Sequence, residues 1–390
     1  MKKTNVLHFR IRNSGKGGAT GAMIENWRHI NKGEFSFDFI CFEGWADYHD
    51  DLVSQGCKIH YVKPPQTNDK TEFIEDMGRI MEKGYDAVHI HTALWTGLEI
   101  EKIAMAKKIP RVIVHAHVEA NHHHHQVLAA LSPEERANYD RFKQAHERNK
   151  PIFISDWKKY ATDLCACSID AARFLYGDEL TDSGIVSILK NAIDTEKFAY
   201  DEKMRNNMRK NLGLENNFVI GHVGRIHPHK NHRFILDAFK ELVDRGAENV
   251  KLMLIGKGAY LDEIKGLVET MGLKNKVLFL GSRDDVGHLL QAMDVFILPS
   301  IAESLGIALV EAQAAGLRCF AADNITRESR MLAETKYLPL DKVLWANEIA
   351  LVAKEGYIRE DVSRQIKEAG YSIRDSVKIL EKLYKGELQD

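Results

Sequence analysis

The sequence lacks three features that mark whole classes of protein. No apolar run in its 390 residues reaches the roughly 18 residues that a membrane-spanning helix needs. The lysines at positions 2 and 3 precede no apolar stretch of signal-peptide length. Basic residues are not in excess either, because 54 lysines and arginines face 56 aspartates and glutamates, so nucleic acid is not expected as a partner. These absences predict a soluble, cytoplasmic protein.

Cysteine is scarce, and its spacing suits neither a disulfide framework nor a zinc site. The chain has five cysteines, and one residue separates Cys165 from Cys167 where a CxxC motif has two. A cytoplasmic protein keeps such thiols reduced. We therefore predict free cysteines that pack as small apolar side chains.

Histidine is abundant, with 18 residues, and it invites a metal hypothesis. Four histidines are consecutive, at 122–125, and a second group comprises His227, His229 and His232. Neither group has cysteine or carboxylate partners nearby in the sequence, and both are expected in polar loops that follow strands. We therefore expect no metal ion and no cofactor.

Short β-branched runs alternate with amphipathic stretches along most of the chain. The runs predict buried strands and the stretches predict helices, a pattern typical of α/β folds with parallel sheets covered on both faces. The predicted strands are 5–9, 37–42, 87–90, 112–114 and 186–189, then 219–223, 251–255, 277–280, 295–298 and 319–321. The predicted helices include 19–30, one capped by Ser132, 231–243, 260–271, 285–292 and 305–315.

This series starts twice, each time with a strand and a glycine-bearing loop. We therefore predict two Rossmann-like domains, an N-terminal one over 1–195 and a C-terminal one over 196–365. The charged stretch 194–217 is the expected junction. The segment 366–390 is expected to be helical and either packs on the second domain or crosses back to the first.

Ligands bind at the carboxyl ends of the strands in open parallel sheets, so the loops there hold the candidate site residues. The first such loop, 15–21, reads GKGGATG and includes Gly17 and Gly18. Glycines let a backbone approach an anion, but Thr20 occupies the third glycine position of a dinucleotide-binding motif. The loop is thus expected to approach a ligand other than a nicotinamide or flavin nucleotide.

A second loop follows the predicted strand 219–223 and carries two cations, Arg225 and Lys230. Arginine can donate forked hydrogen bonds, and lysine supplies a point charge. Two fixed cations beyond the carboxyl end of a strand suit a diphosphate.

The third segment, 299–316, holds two glutamates around a predicted helix start at 304 or 305. Glu303 is expected at the mouth of this helix and Glu311 two turns inside, about 12 Å away at helical rise. The amides expected at the positive end of the helix dipole are those of Leu305, Gly306 and Ile307. A carboxylate, an anion site and a second carboxylate match the sugar, diphosphate and ribose of a nucleotide-sugar. The alternative is a helix-start acid and a solvated helix residue.

The pattern PSxxESxG followed by EAxAxG, with seven residues between its two glutamates, resembles the signature of retaining glycosyltransferases of family 4. That family has the GT-B fold, in which two Rossmann-like domains face each other across the cleft that holds the active site. The resemblance runs from the first strand to about residue 323 and is looser in the first domain. Other segments that match the family pattern are 17–18, 112–117, 190–194 (with Ala192 for the usual glycine), 224–225, 230–231, 281–286 and 292–300.

The resemblance implies a role for each matching residue of the second domain. Arg225 and Lys230 would hold the diphosphate and offset the charge of the leaving group. The loop with Ser304, Leu305, Gly306 and Ile307 would add backbone donors to the same phosphates. Glu303 would bind hydroxyls of the transferred sugar, Glu311 would bind the ribose, and the base would lie against backbone near Arg283.

In the first domain, the resemblance places Gly17 and Gly18 in the opening loop near the donor. His117 would contact the transferred sugar. We expect His115 to point to the other side of the same strand and to be structural.

The resemblance implies a metal-independent enzyme that transfers a hexose or N-acetylhexosamine with retention, by front-face attack. The expected donor is a nucleotide-sugar, with UDP favoured, and the acceptor is a hydroxyl of a saccharide or a lipid-linked sugar. Relatives often build bacterial capsule or exopolysaccharide, which leaves open a peripheral contact at the inner face of the cell membrane. The alternatives are a nucleotide-sugar 2-epimerase of the same architecture, a nicotinamide-dependent oxidoreductase, and a non-catalytic sugar- or nucleotide-binding protein.

Overall fold

The computed structural model describes residues 2–11, 18–42, 44, 46–65, 69–117, 131–303 and 305–388. The chain divides into two compact units. The first takes in the described part of 1–120, Ser132–Ala192 and the C-terminal segment from Ile373, and the second takes in Ile193–Ser372.

The first unit is built on a parallel sheet in which the described residues form seven strands, in the order β3-β2-β1-β4-β5-β6-β7. The strands are β1 (Thr4–Ile11), β2 (Phe35–Phe42), β3 (Ile59–Val62), β4 (Ala87–Thr92), β5 (Arg111–Ala116), β6 (Asp163–Ala166) and β7 (Val186–Ile188). The helices up to β7 are α1 (Gly18–His29), α2 (His49–Ser54), α3 (Thr71–Met81), α4 (Glu99–Ala106), α5 (Pro133–Ser155), α6 (Ile169–Tyr176) and α7 (Asp178–Asp182).

The second unit contains a six-stranded parallel sheet in the order β10-β9-β8-β11-β12-β13, counted over its described residues. Its strands are β8 (Phe218–Val223), β9 (Val250–Ile255), β10 (Val277–Phe279), β11 (Val295–Leu298), β12 (Arg318–Ala322) and β13 (Lys336–Leu338). Its helices are α8 (Thr195–Phe198), α9 (Glu202–Leu212), α10 (His232–Asp244), α11 (Leu261–Thr270), α12 (Val286–Ala292), α13 (Ile307–Ala314), α14 (Lys342–Glu355) and α15 (Ser363–Glu368).

The last helix, α16 (Ile373–Lys385), packs on the first unit. Its apolar residues recur every three or four positions and form one buried stripe, which is typical of an amphipathic helix. This stripe shares a core with α1 and with one face of the sheet. The residues of the stripe are Ile373, Val377, Leu380, Leu383 and Tyr384.

The expected α/β class is confirmed, and every predicted strand is present in one of the two sheets. The N-cap prediction is confirmed as well, because the Ser132 hydroxyl accepts from the Glu135 amide while the Glu135 carboxylate accepts from the Ser132 amide. All five cysteines are free and buried, as expected. None of the described helices combines the length and apolar content that crossing a bilayer requires.

Candidate active site

An ion pair between Lys230 and Glu303 lies at the carboxyl edge of the second sheet. Lys230 follows β8 and Glu303 follows β11, and these strands are neighbours. The Lys230 ammonium donates to Glu303 Oε1, and the Ser300 hydroxyl donates to the same oxygen at 2.6 Å. The Glu303 side chain is 6% exposed and that of Lys230 is 17% exposed. The two residues that the sequence assigned to diphosphate and sugar are therefore in direct contact.

Two backbone features hold this pair in place. Lys230 ends a 3-10 turn, Pro228–Lys230, and Asn231 then takes a left-handed conformation with φ 59° before α10 begins. The carbonyl of His229 accepts a hydrogen bond from the amide of Ile301 at 2.7 Å. The loop after β8 is thereby bound to the loop after β11, and the lysine is held against the glutamate.

Arg225 lies in the same loop as Lys230 and is exposed. Burial, then the positive charge of Lys230 and more weakly that of Arg225, lowers the pKa of His229 to about 2. Arg225 and Lys230 therefore lie in one loop, and the charges of both act on His229.

Glycines pack the loops after β8 and β9 closely together. A Cβ on Gly256 would lie 1.9 Å from the carbonyl oxygen of Gly224, and one on Gly258 would lie 2.1 Å from that of Ile226. Neither position tolerates a side chain without movement of backbone. The loop after β9 therefore packs directly against the backbone on both sides of Arg225.

Three buried histidines near Lys230, at positions 222, 229 and 232, are neutral rather than cationic. Burial lowers the pKa of His222 to about 4 and that of His232 to about 2. The rings of His222 and His232 meet edge to face, with their centroids 4.9 Å apart. His227 and His229 lie side by side, with Nδ1 atoms 2.6 Å apart. Lys230 and Arg225 therefore supply the positive charge of this loop.

The helix after Glu303 begins later than predicted. Helix α13 starts at Ile307, and Gly306 before it is left-handed, with φ 75°. A left-handed residue cannot continue a right-handed helix toward Glu303, so the predicted start at 304 or 305 is wrong. The 12 Å separation of Glu303 and Glu311 assumed helix between them and does not hold.

The other predicted residues of this segment are placed as follows. Leu305 is buried, and the first amides of α13 belong to Ile307 and Ala308. Glu311 is partly exposed and lies four residues into the helix, about 6 Å along its axis from Ile307. Ser304 lies outside the described residues.

Arg283 lies in the loop after β10, at the same edge of the sheet but on another strand. It is exposed and forms two parallel hydrogen bonds of 2.7 Å to the carboxylate of Asp285. The Gly281 carbonyl accepts from the Gly256 amide at 2.8 Å, which joins this loop to the one after β9. The structure thus brings Arg283 to the edge but into no contact with Lys230 or Glu303.

In the first unit, His117 follows β5, and its Nε2 lies 2.8 Å from Nδ1 of His91. The prediction that His115 faces the other side of the strand is wrong. The rings of His115 and His117 are stacked, with centroids 4.1 Å apart. Residues two apart on a strand share a face, so the sequence already contained this information. Gly18 begins α1 with φ 63°, whereas Gly17 and residues 122–125 lie outside the described residues.

Sequence reasoning missed three further histidines of this group. His89 and His91 contact the pair, and His8 contacts His89 and His91. The available signal was the repeated pattern HxH, at 89–91 and again at 115–117, near the ends of two predicted strands. Two such patterns in neighbouring strands place four imidazoles on one face of a sheet.

Comparison with known proteins identifies the family. The family model of the glycosyl transferases group 1 matches residues 204–367, the part of the chain that holds Arg225, Lys230, Arg283, Glu303 and Glu311. EpsF of Bacillus subtilis (strain 168), which is named as a glycosyltransferase with no donor or acceptor stated, is 31% identical over 387 residues, 97% of this chain and 96% of EpsF. The chain belongs to the group 1 glycosyl transferases.

One further relative and one solved structure are also similar to this glycosyltransferase. The Escherichia coli protein named UDP-Gal:alpha-D-GlcNAc-diphosphoundecaprenol alpha-1,3-galactosyltransferase is 26% identical over 319 residues, 77% of this chain and 75% of that protein. The crystal structure of Anabaena Alr3699/HepE in complex with UDP and glucose superposes with a TM-score of 0.73 at 17% identity, over 98% of this chain and all of that one. The enzyme therefore has the GT-B architecture that its motifs implied, and the family favours glycosyl transfer over the epimerase and oxidoreductase alternatives.

Proposed function

We propose that this glycosyltransferase moves a hexose or N-acetylhexosamine from a UDP-sugar to a hydroxyl of a saccharide or lipid-linked acceptor, with retention of the anomeric configuration. The observation that carries the proposal is the contact between Lys230 and Glu303 beside Arg225. In this proposal Lys230 binds the diphosphate and Glu303 binds hydroxyls of the sugar. The two side chains are adjacent, as are the diphosphate and the sugar of the donor.

The charges of the site support a diphosphate ligand. Glu303 neutralises Lys230, and its oxygen also accepts from Ser300, so the carboxylate keeps a hydrogen-bond donor when the lysine turns toward a phosphate. Arg225 is exposed at the same loop and adds a forked donor. The amides of Ile307 and Ala308, at the start of α13, offer further donors to an anion.

In the reaction that we propose, the bond between the anomeric carbon and the diphosphate oxygen breaks while the acceptor oxygen attacks from the same face. The proton of the acceptor hydroxyl passes to the departing phosphate oxygen. Arg225 and Lys230 offset the negative charge that grows on that diphosphate. His117 contacts the transferred sugar, Glu303 its hydroxyls and Glu311 the ribose.

The choice of donor and acceptor takes support from the relatives. The name of the E. coli relative states a UDP-sugar donor and a lipid diphosphate acceptor, and the Anabaena structure contains UDP and glucose. By this analogy we place the enzyme in bacterial surface polysaccharide synthesis, with contact at the inner face of the cell membrane through its acceptor.

The first test combines binding with transfer. UDP is expected to raise the melting temperature of the protein, and a panel of UDP-sugars identifies the donor by the largest shift. Replacement of Lys230 or Arg225 by alanine is expected to lower transfer by a factor of about 10² to 10³ while the protein stays folded. Arg233→Ala is the matched control, because Arg233 is a nearby exposed cation that pairs with Glu263. Near-normal turnover in both site variants contradicts the assignment, and an epimerised donor without acceptor supports an epimerase instead.

The second test concerns divalent ions. Because Arg225 and Lys230 offset the diphosphate charge, we expect transfer to persist in excess EDTA. A strict requirement for an added divalent ion at the donor, seen as loss of UDP binding in EDTA, contradicts this part of the proposal.

A further inference from the structure

Five histidine rings and one tyrosine form a continuous cluster inside the first unit. Strands β1, β4 and β5 are neighbours, and their registers pair His8 with His89 and His91 with His115. All five rings lie on the sheet face that α1 and α16 cover, where strands otherwise present apolar side chains. The members of the cluster are His8, His89, His91, His115, His117 and, from α16, Tyr384.

Hydrogen-bond distances connect these six groups in one chain. His117 Nε2 lies 2.8 Å from His91 Nδ1, and His91 Nε2 lies 3.1 Å from His8 Nδ1. At the other end, His115 Nδ1 lies 3.1 Å from His89 Nε2. Tyr384 joins the two halves, because its hydroxyl lies 2.8 Å from His89 Nδ1 and 3.4 Å from His8 Nε2.

The two ends of the chain leave ring nitrogens with no hydrogen-bond partner. His115 Nε2 and His117 Nδ1 are shielded from solvent and have none in the described structure. A neutral imidazole carries one nitrogen lone pair, as a metal ligand must.

Three of the rings lie at a small pocket of the first unit. His91, His115 and His117 line it together with polar side chains, and its volume is about 10 Å³. That volume holds one water molecule or one ion, whereas a sugar is far too large. The polar residues at this pocket are Asn26, Lys190, Asn191 and Ser376.

We propose that His91, His115 and His117 bind one divalent transition-metal ion of the zinc class. One nitrogen from each ring lies within 4.8 Å of the others. Zinc–nitrogen bonds of about 2.0–2.1 Å at tetrahedral angles place the nitrogens about 3.3 Å apart. The 2.8 Å contact between His91 and His117 therefore opens by about half an ångström to admit the ion.

The rest of the cluster supplies an outer shell for two of the three ligands, His91 and His115. A ligating histidine donates its second ring N–H to an acceptor, which fixes the tautomer. His91 reaches His8 in this way and His115 reaches His89, so Nδ1 of His91 and Nε2 of His115 are the nitrogens left for the ion. Both acceptors in turn reach the hydroxyl of Tyr384.

Charge decides the fourth ligand. Three neutral imidazoles leave the ion with its full positive charge, and Lys190 lines the same pocket. The metal ion and the Lys190 ammonium repel each other, and an anion between them lowers this repulsion. The fourth position of the ion is therefore expected to take a hydroxide or another small anion. This arrangement has the open fourth position of a three-histidine zinc site.

The metal site does not rest on the proposed function. It is built from one unit alone, and it shares only His117 with the residues that we assign to the donor. The experiments therefore vary His91, His115 and Tyr384 and leave His117 intact.

The test measures metal directly in the full-length chain. The protein is purified without an affinity tag, and the four consecutive histidines at 122–125 are replaced by glutamine, so that any metal held there is not counted as metal of the cluster. We expect this background protein to bind one Zn²⁺ or Co²⁺ per chain by calorimetry, and the Co²⁺ form to show the intense visible absorption of a four-coordinate site. X-ray absorption of the Zn²⁺ form is expected to show three imidazole ligands. This measurement uses the background protein alone, so it does not depend on whether a further variant folds.

Variants of the cluster locate the ion. Replacing His91 or His115 by leucine is expected to weaken Zn²⁺ binding more than 100-fold, and Tyr384→Phe is expected to weaken it 10- to 100-fold through the outer shell. His146→Leu and His227→Leu are the matched controls and are expected to bind as the background protein does. A background protein that binds no stoichiometric metal overturns the proposal and leaves a pocket for water only. Unchanged affinity in the folded His115→Leu variant overturns it as well.

Discussion

At the scale of single residues, the contact between Lys230 and Glu303 is expected to link stability to the proposed transfer. Both side chains are largely buried, so removing one charge leaves the other without its partner. Lys230→Ala is expected to lower the free energy of unfolding by about 1–3 kcal/mol, moderated by the hydrogen bond from Ser300 that Glu303 retains. Urea unfolding measures this change, and UDP release in the presence of acceptor measures the accompanying loss of transfer.

The double variant Lys230→Met/Glu303→Gln separates the two effects. It removes both charges together, so we expect most of the lost stability to return. Transfer is expected to stay at least 100-fold below that of the parent, because in the proposed mechanism the diphosphate has lost one of its two cations. If the double variant regained activity along with stability, Lys230 would act through folding alone.

The sequence identified these residues one by one but not the contacts among them. Arg225, Lys230 and Glu303 were each assigned from the loop that follows a strand, and the sheet order then brought two of those loops together. The ion pair itself depends on the Pro228–Lys230 turn and on the hydrogen bond from Ile301, which no spacing rule predicts. His115 was misplaced although the two-residue period of a strand was available.

At the scale of elements, the left-handed Gly306 sets where α13 begins and where its first amides lie. Gly306→Ala is expected to destabilise the protein by about 1–2 kcal/mol, because alanine is strained at positive φ. Its Cβ would also lie 3.2 Å from Leu298 Cδ2. Since the first turn of α13 then shifts, the KM for the donor is expected to rise more than kcat falls.

Gly266→Ala is the matched control for this variant. Gly266 is an exposed residue inside α11, where an added Cβ meets open space. Alanine there is expected to stabilise the helix by about 0.5–1 kcal/mol and to leave the KM for the donor unchanged. Thermal unfolding and initial-rate kinetics of the two variants test the contrast, and a Gly306→Ala enzyme as stable as the parent would contradict it.

Two strands that sequence reasoning did not predict lie at the edges of the sheets. Strands β3 and β13 are the outermost strands of their sheets, and both are short and partly exposed. An edge strand has a neighbour on one side only and needs less apolar surface, so its hydrophobic signal is weak. The late start of α13 has a different cause, since a glycine can either enter a helix or end one, and the sequence does not decide between them.

At the scale of the whole molecule, buried neutral histidines make stability depend on pH. Burial lowers the pKa of His232 to about 2, whereas the same side chain titrates near 6.5 when unfolded. As the pH falls below 6.5, the unfolded chain binds a proton that the folded chain does not, so stability is lost on acidification. This single residue is expected to remove about 2 kcal/mol between pH 7 and pH 5.

Unfolding by urea at pH 7, 6 and 5 measures this loss. His232→Leu removes the titrating group, so its free energy of unfolding is expected to fall by about 2 kcal/mol less over the same range. Equal slopes for the parent and the variant would show that His232 is protonated in the folded protein.

The architecture was the part most readily predicted. The alternation of strands and helices along the sequence implied two parallel sheets. The motif from Glu303 to Glu311 implied the family from the sequence alone. The sequence pattern left open where the last helix packs, because its apolar stripe fits any complementary core. In the structure, the stripe on α16 completes the first unit.

The course of the chain has a genetic consequence. Residues 193–372 interrupt a unit that begins with β1 and ends with α16, so the second unit is an insertion within the first. A stop codon just after position 372 would spare every strand of both sheets, yet it would strip Leu380, Leu383 and Tyr384 from the interior of the amino-terminal half. A truncation after position 372 would thus damage the unit that contains β1 rather than the unit that directly precedes the break.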